Sequence, residues 1–130
     1  MEEIIDTKEE FSILKRGKSF VYAGRGICVL LKTTHNAWIH VSVFVIAVVL
    51  GFFFHITRIE WVLITFAGGF VLVSEAFNTA LEIDINLTSP TYHPYAKDVK
   101  DVAAGAVLLS ALTALVVGIL IFGPYLINTA

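Results

Sequence analysis

Of the 130 residues, 57% are hydrophobic and 15% charged, whereas a soluble globular domain averages about 45–50% apolar and about 25% charged. A chain this apolar cannot enclose its hydrophobic residues in one small water-facing core, and its length suits a single domain, residues 1–130. The net charge of −2 excludes little by its size; the positions of the nine basic residues are what inform. The lone cysteine, Cys28, rules out an internal disulfide and a cysteine metal cluster, and reads as a small apolar packing filler.

The first residues are acidic, and no early apolar core with a cleavage site follows them, so a cleaved signal peptide is not expected. Residues 9–32 carry the pattern of an amphipathic surface helix: Phe20, Gly24, Ile27 and Leu31 recur at helical spacing, while Lys15, Lys18 and Arg25 supply a basic face. Such a helix is expected along the inner leaflet, where it anchors to anionic lipid or meets phosphate. Three stretches then reach the roughly 20 apolar residues that a transmembrane helix needs. The first, 37–56, reads AWIHVSVFVIAVVLGFFFHI; the second, 59–83, is apolar to Val73 and ends in SEAFNTALEI; the third, 102–127, holds no charged residue. The fold class that follows is an all-α membrane protein with one surface helix and three transmembrane helices.

The segment LTSPTYHPYAKD, with two prolines, reads as the turn region before the third span. Six of the nine lysines and arginines precede the first span, Arg58 alone occupies the first connection, and Lys97 and Lys100 occupy the second. Because cytoplasmic segments hold the basic excess, the N-terminus and the second connection are expected in the cytoplasm. Trp38 and Trp61 fall near span ends, as interfacial aromatics do. Glu75 and Glu82 then lie toward the cytoplasmic end of the second span.

Glu75, Asn78 and Glu82 are spaced by three and four residues and share one helix face. A charged side chain at the centre of a membrane helix costs about 2.5–3.5 kcal/mol even on lenient insertion scales, and such residues are functional by default. The competing reading is that Glu82 is solvated at the membrane edge while Glu75 and Asn78 join helices by hydrogen bonds. Seven residues separate the carboxylates by about 10 Å, too far to share a proton. The deeper Glu75 suits a general base and the shallower Glu82 a divalent cation. Asp98 and Asp101 stand where acidic groups complement a helix dipole, and Lys97 and Lys100 at the same end could meet nucleotide phosphate. The small residues Ala103, Ala104, Gly105 and Ala106 are a helix-packing signal. No phosphate loop or protein-kinase catalytic loop is present: GRGICVLLKTT lacks the glycine before its lysine. The four histidines have no zinc-ligand spacing, and His40 and His55 read as interfacial or interhelical polar residues.

These residues resemble a known family. EAFNTALE from Glu75 to Glu82, YHP at Tyr92 to Pro94 and KDVAAGAVLL from Lys100 to Leu109, in that order behind a basic amphipathic helix, are similar to the small prokaryotic diacylglycerol and undecaprenol kinases over nearly the whole chain from Lys15 onward. The resemblance implies transfer of the γ-phosphate of magnesium-bound ATP to the primary hydroxyl of a membrane lipid at the cytoplasmic (inner) membrane, with no nucleic-acid partner. It implies that Glu75 is the catalytic base, that Asn78 supports it, and that Glu82 holds magnesium. Lys15, Tyr22, Thr91, Tyr92, His93, Lys100 and Asp101 would surround the nucleotide. It also implies a homotrimer with active sites shared between subunits, which would account for the burial of charged side chains on a lone three-helix unit.

Three positions depart from the pattern. Relatives often read EHNARIH where this chain reads THNAWIH, so Thr34 replaces the glutamate expected to hold metal and Trp38 the usual arginine; Asn86 replaces a common aspartate. No carboxylate occurs between Glu10 and Glu60. The Thr34 hydroxyl could meet magnesium through water, or Asp84 could supply the missing charge. A catalytically weakened homologue acting as a lipid-binding scaffold, and a small ion pathway built on Glu75 and Asn78, are the alternatives.

Overall fold

The computed structural model describes residues 12–128 and contains four α-helices in chain order: α1 (Ile13–Thr33), α2 (His35–Phe53), α3 (Arg58–Thr88) and α4 (Pro94–Asn128). Residues 9–11, the expected start of the first helix, lie outside the described residues. Helix α1 opens at Ser12, whose hydroxyl accepts from the Lys15 N–H, and a single extended residue, Thr34 (φ −121°, ψ 112°), separates it from α2. Leu30 is its one buried residue, and Cys28 is exposed rather than filling a core.

The turn between α2 and α3 is tight. His55 takes the left-handed conformation (φ 52°). The Ile56 N–H donates to Gly51 O at 3.1 Å and the His55 N–H to Phe52 O at 3.3 Å, the paired bonds that close a helix C-terminus around a left-handed residue. Thr57 and Glu60 then form a reciprocal capping box that starts α3. Glu60 Oε2 also accepts from the Tyr125 hydroxyl at 2.9 Å, which ties the far end of α4 to the start of α3.

Between α3 and α4 only residues 89–93 are non-helical. The broad turn region expected from LTSPTYHPYAKD is therefore shorter, because α3 runs on to Thr88 and Pro94 opens α4; proline suits the first helical position, where no backbone N–H donor is needed. At 1.5 Å per residue the 31 residues of α3 and 35 of α4 extend about 46 and 52 Å, well beyond the roughly 30 Å hydrocarbon core of a bilayer. The expected spans 59–83 and 102–127 lie within these longer helices.

Helices α2, α3 and α4 are each long and apolar enough to cross a membrane. Their large apolar side chains mostly point outward, among them Val45, Phe52, Phe66, Phe77, Leu109 and Leu120. An apolar exterior on that scale needs a lipid solvent, since soluble monomers seldom expose patches above about 600 Å². The inner core is small: Ile56, Ile64, Ile121 and Phe122, flanked by Phe44, Phe54, Trp61 and Tyr125. Helix α3 packs chiefly on α4 and also on α2. At Gly68 the α2 side chain of Phe44 fills the place a Cβ would take, 2.2 Å from Cδ2.

Candidate active site

The buried polar residues among those described are Glu75, Asn78, Thr79 and Ser110. Three of them fall within five residues of α3, facing α2 and the hinge at Thr34. The helical repeat brings positions 75, 78, 79, 82 and 86 onto one stripe, since residues three and four apart are neighbours on a helix surface.

Three polar pairs occupy this stripe. Deepest is Glu75, with none of its surface exposed; His40 Nε2 on α2 stands 3.8 Å from its Oε2. Neither carboxylate oxygen of Glu75 has a hydrogen-bond partner. One turn along, the hydroxyls of Thr34 and Thr79 lie 2.9 Å apart and share a hydrogen bond. Beside them Asn78 Nδ2 donates to Glu82 Oε1 at 3.2 Å, while Asn78 Oδ1 is buried without a partner. Glu82 is half-buried, so the stripe passes from a dry carboxylate to an accessible one over about 10 Å of helix.

A lysine from α4 reaches the open end of the stripe. Lys100 Nζ donates to Asn86 Oδ1 at 2.6 Å, one helical turn beyond Glu82. Asp101 is engaged instead with Lys97, four residues back on the same helix, and both are exposed. Asp84 is exposed.

The remaining nucleotide-contact candidates are spread over the surface. Tyr22 on α1 lines a groove of about 620 Å³ between α1 and α3, together with Arg25, Gly26, Thr79, Ala80 and Ile83. Lys15 is exposed on the first turn of α1, and its carbonyl accepts from Ser19. Thr91, Tyr92 and His93 are exposed in the short connection, where the Tyr95 N–H donates to His93 Nδ1 at 3.3 Å. Trp38 donates from Nε1 to Leu31 O at 2.7 Å and braces the hinge.

Sequence reasoning read Glu75, Asn78 and Glu82 as one set; in the fold Asn78 bonds to Glu82, and the neighbour of Glu75 is His40. It passed over Thr79, although a residue four positions after Glu75 must share its face. A further difference concerns burial. A second subunit was expected to account for burial of the charged side chains, yet one chain by itself encloses Glu75 completely and leaves Asn78 7% exposed.

The donor set bears on magnesium. Among the described residues no three His, Cys, Asp or Glu side chains cluster, so those residues do not form a self-sufficient cage. A half-buried carboxylate beside an unpartnered carboxamide oxygen does suit an ion that takes one or two carboxylates and completes its shell with phosphates and waters.

The profile of the prokaryotic diacylglycerol kinase family matches residues 21–122. Over 123 residues the chain is 38% identical to the undecaprenol kinase of Bacillus subtilis, an alignment covering 94% of this chain and 100% of that protein. It is 36% identical over 111 residues to a diacylglycerol kinase of Synechocystis sp., covering 85% of this chain and 63% of that protein. With its helical membrane architecture and a match along most of its length, the chain belongs to the prokaryotic diacylglycerol kinase family, a family of lipid kinases.

Proposed function

We propose that this protein transfers the γ-phosphate of ATP to the primary hydroxyl of a membrane lipid, diacylglycerol or undecaprenol, at the cytoplasmic face of the membrane. The observation that carries the proposal is Glu75, a fully buried carboxylate on a membrane-spanning helix with both oxygens unpartnered. Such a group is costly unless it meets a donor, and a lipid hydroxyl is one.

In this reading Glu75 accepts the hydroxyl proton as the lipid oxygen bonds to the γ-phosphorus. The bond from that phosphorus to the β–γ bridging oxygen breaks, and ADP leaves. Phosphoryl transfer is mostly positioning and charge neutralisation, so no covalent intermediate is needed. Asn78 orients Glu82 through its amide and keeps its carbonyl oxygen for an incoming donor. Glu82 would hold magnesium, with Thr34 as an outer contact; when bound, the ion neutralises charge on the phosphates. Lys100 would draw phosphate to the open end of the stripe, with Lys15, Tyr22, Thr91, Tyr92, His93 and Asp101 around the nucleotide.

The excess of Lys and Arg before α2 supports a cytoplasmic N-terminus. Helix α1 would lie on the inner leaflet, with Phe20 and Ile27 among its exposed apolar side chains. Exposed Ala104 and Ala106, and open space at the Cβ position of Gly105, support close helix packing between copies in a homotrimer. A weakened scaffold is the second reading: no carboxylate stands at position 34, and the Thr34 hydroxyl already bonds to Thr79.

The deciding experiment follows labelled γ-phosphate from magnesium ATP into diacylglycerol and undecaprenol in detergent. Wild type is expected to label one or both lipids, and Glu75→Gln to lose about 10²-fold or more, the usual contribution of a general base. Folded wild type that labels neither lipid would favour the scaffold.

A further inference from the structure

Each turnover in the kinase reading leaves one proton on Glu75, and Glu75 has no exposed surface from which to lose it. Among the described residues the titratable groups that act on this carboxylate are His40 and Glu82. Glu82 stands seven residues along the helix, about 10 Å away, and is bonded to Asn78. His40 is closer: its Nε2 lies 3.8 Å from Glu75 Oε2, and its side chain is 20% exposed where that of Glu75 is 1%. The walls beside His40 hold no competing acceptor, since Val43 and Phe44 on α2, Val71 on α3, and Ala111 and Leu115 on α4 line the same cavity. Toward the hinge at Thr34 the same face of α2 continues in Asn36, four residues before His40, and Asn36 is exposed.

We propose that His40 carries the proton away from Glu75 after each phosphoryl transfer and so returns the base to its working state. The inference rests on the kinase reading above and supplies a step which that reading leaves open. The O–H bond on Glu75 Oε2 breaks as an N–H bond forms at His40 Nε2. The ring's other nitrogen, Nδ1, then loses its proton to water on the Asn36 side, and exchange with that water resets the ring for the next turnover. Imidazole suits the step because it takes and releases protons near neutral pH and carries two distinct ring nitrogens. The 3.8 Å separation is longer than a hydrogen bond, as is common where catalytic contacts tighten only in the loaded complex. Between turnovers the Nε2–H faces the restored carboxylate, so one side chain both orients the base and clears it.

A relay and a mere positioning partner differ after the first turnover. Quenched-flow phosphorylation with labelled magnesium ATP and diacylglycerol or undecaprenol in detergent separates that turnover from those that follow. His40→Gln keeps a donor toward Glu75 but accepts no proton. Its first turnover is expected within about threefold of wild type and its later turnovers to slow about tenfold, less than the roughly 10²-fold of losing the base itself. His40→Ala opens a space for an added ring. Imidazole is expected to restore its later turnovers, whereas pyrrole, a ring of the same size with an N–H but no basic nitrogen, is not. Equal slowing of first and later turnovers in His40→Gln, or equal recovery of His40→Ala with pyrrole and with imidazole, would overturn the relay and leave His40 as a positioning residue. Unchanged later turnovers in both variants would overturn it too, and mean that the phosphorylated lipid carries the proton out. A wild type that labels neither lipid overturns the kinase reading itself, and the relay with it.

Discussion

Nε2 of His40 on α2 stands 3.8 Å from Oε2 of Glu75 on α3, their side chains 20% and 1% exposed. A direct N–H···O bond spans about 2.7–3.2 Å, so the two are close enough for a small rotation or a bridging hydroxyl to join them. His40 is thereby placed to position Glu75, the base of the proposed mechanism. A hydrogen bond to a charged group contributes about 1.5–3 kcal/mol, so His40→Leu is expected to lower kcat about tenfold or more, with a smaller change in the acceptor KM. His40→Gln, which keeps a donor, should recover part of the loss. If both variants melt early in detergent and kcat follows the folded fraction, the histidine is only packing.

The hydroxyl pair Thr34–Thr79 links the hinge to α3 at 2.9 Å. Interhelical hydrogen bonds in membrane proteins average about 0.6 kcal/mol and reach about 1.7. Thr34→Val and Thr79→Val are each expected to destabilise the protein. The double substitution should cost less than the sum of the two, by a coupling in that range. Thermal unfolding of the four proteins in one detergent measures the coupling, and strict additivity would mean that the pair contributes nothing.

Contact between α2 and α3 depends on a missing side chain. A Cβ at Gly68 would lie 2.2 Å from Cδ2 and 2.4 Å from Cε2 of Phe44, so Gly68→Ala forces the ring to move. Overpacking of this kind costs about 1–3 kcal/mol. Combining it with Phe44→Leu, which removes part of the ring, is expected to recover a portion of that stability. Equal melting of wild type and Gly68→Ala would show that the ring moves freely.

Much of the architecture was legible before folding was considered. Three apolar stretches and a basic helix follow from composition and spacing, because in lipid the backbone has to satisfy its own hydrogen bonds and a helix does so locally. The Glu75, Asn78, Glu82 stripe was legible for the same reason: the helical repeat is a property of the chain itself. Helix ends were less so. The turn at His55 depends on a residue with no turn signature, and α4 begins at Pro94 rather than near Val102, since a helix can continue into water past its apolar part.

What the sequence by itself determined is the membrane class, the family resemblance and which side chains are too costly to be idle in lipid. Those follow from residue type and local spacing. Only the tertiary structure decided the partners of those side chains: His40 beside Glu75, Thr34 with Thr79, Asn78 with Glu82, and Lys100 with Asn86. Three of these four pairs join residues on different helical segments, 14 to 45 positions apart, and the fourth selects between two neighbours of Asn78 on the same stripe. Such choices are set by how α2, α3 and α4 pack, which periodicity within one helix does not encode.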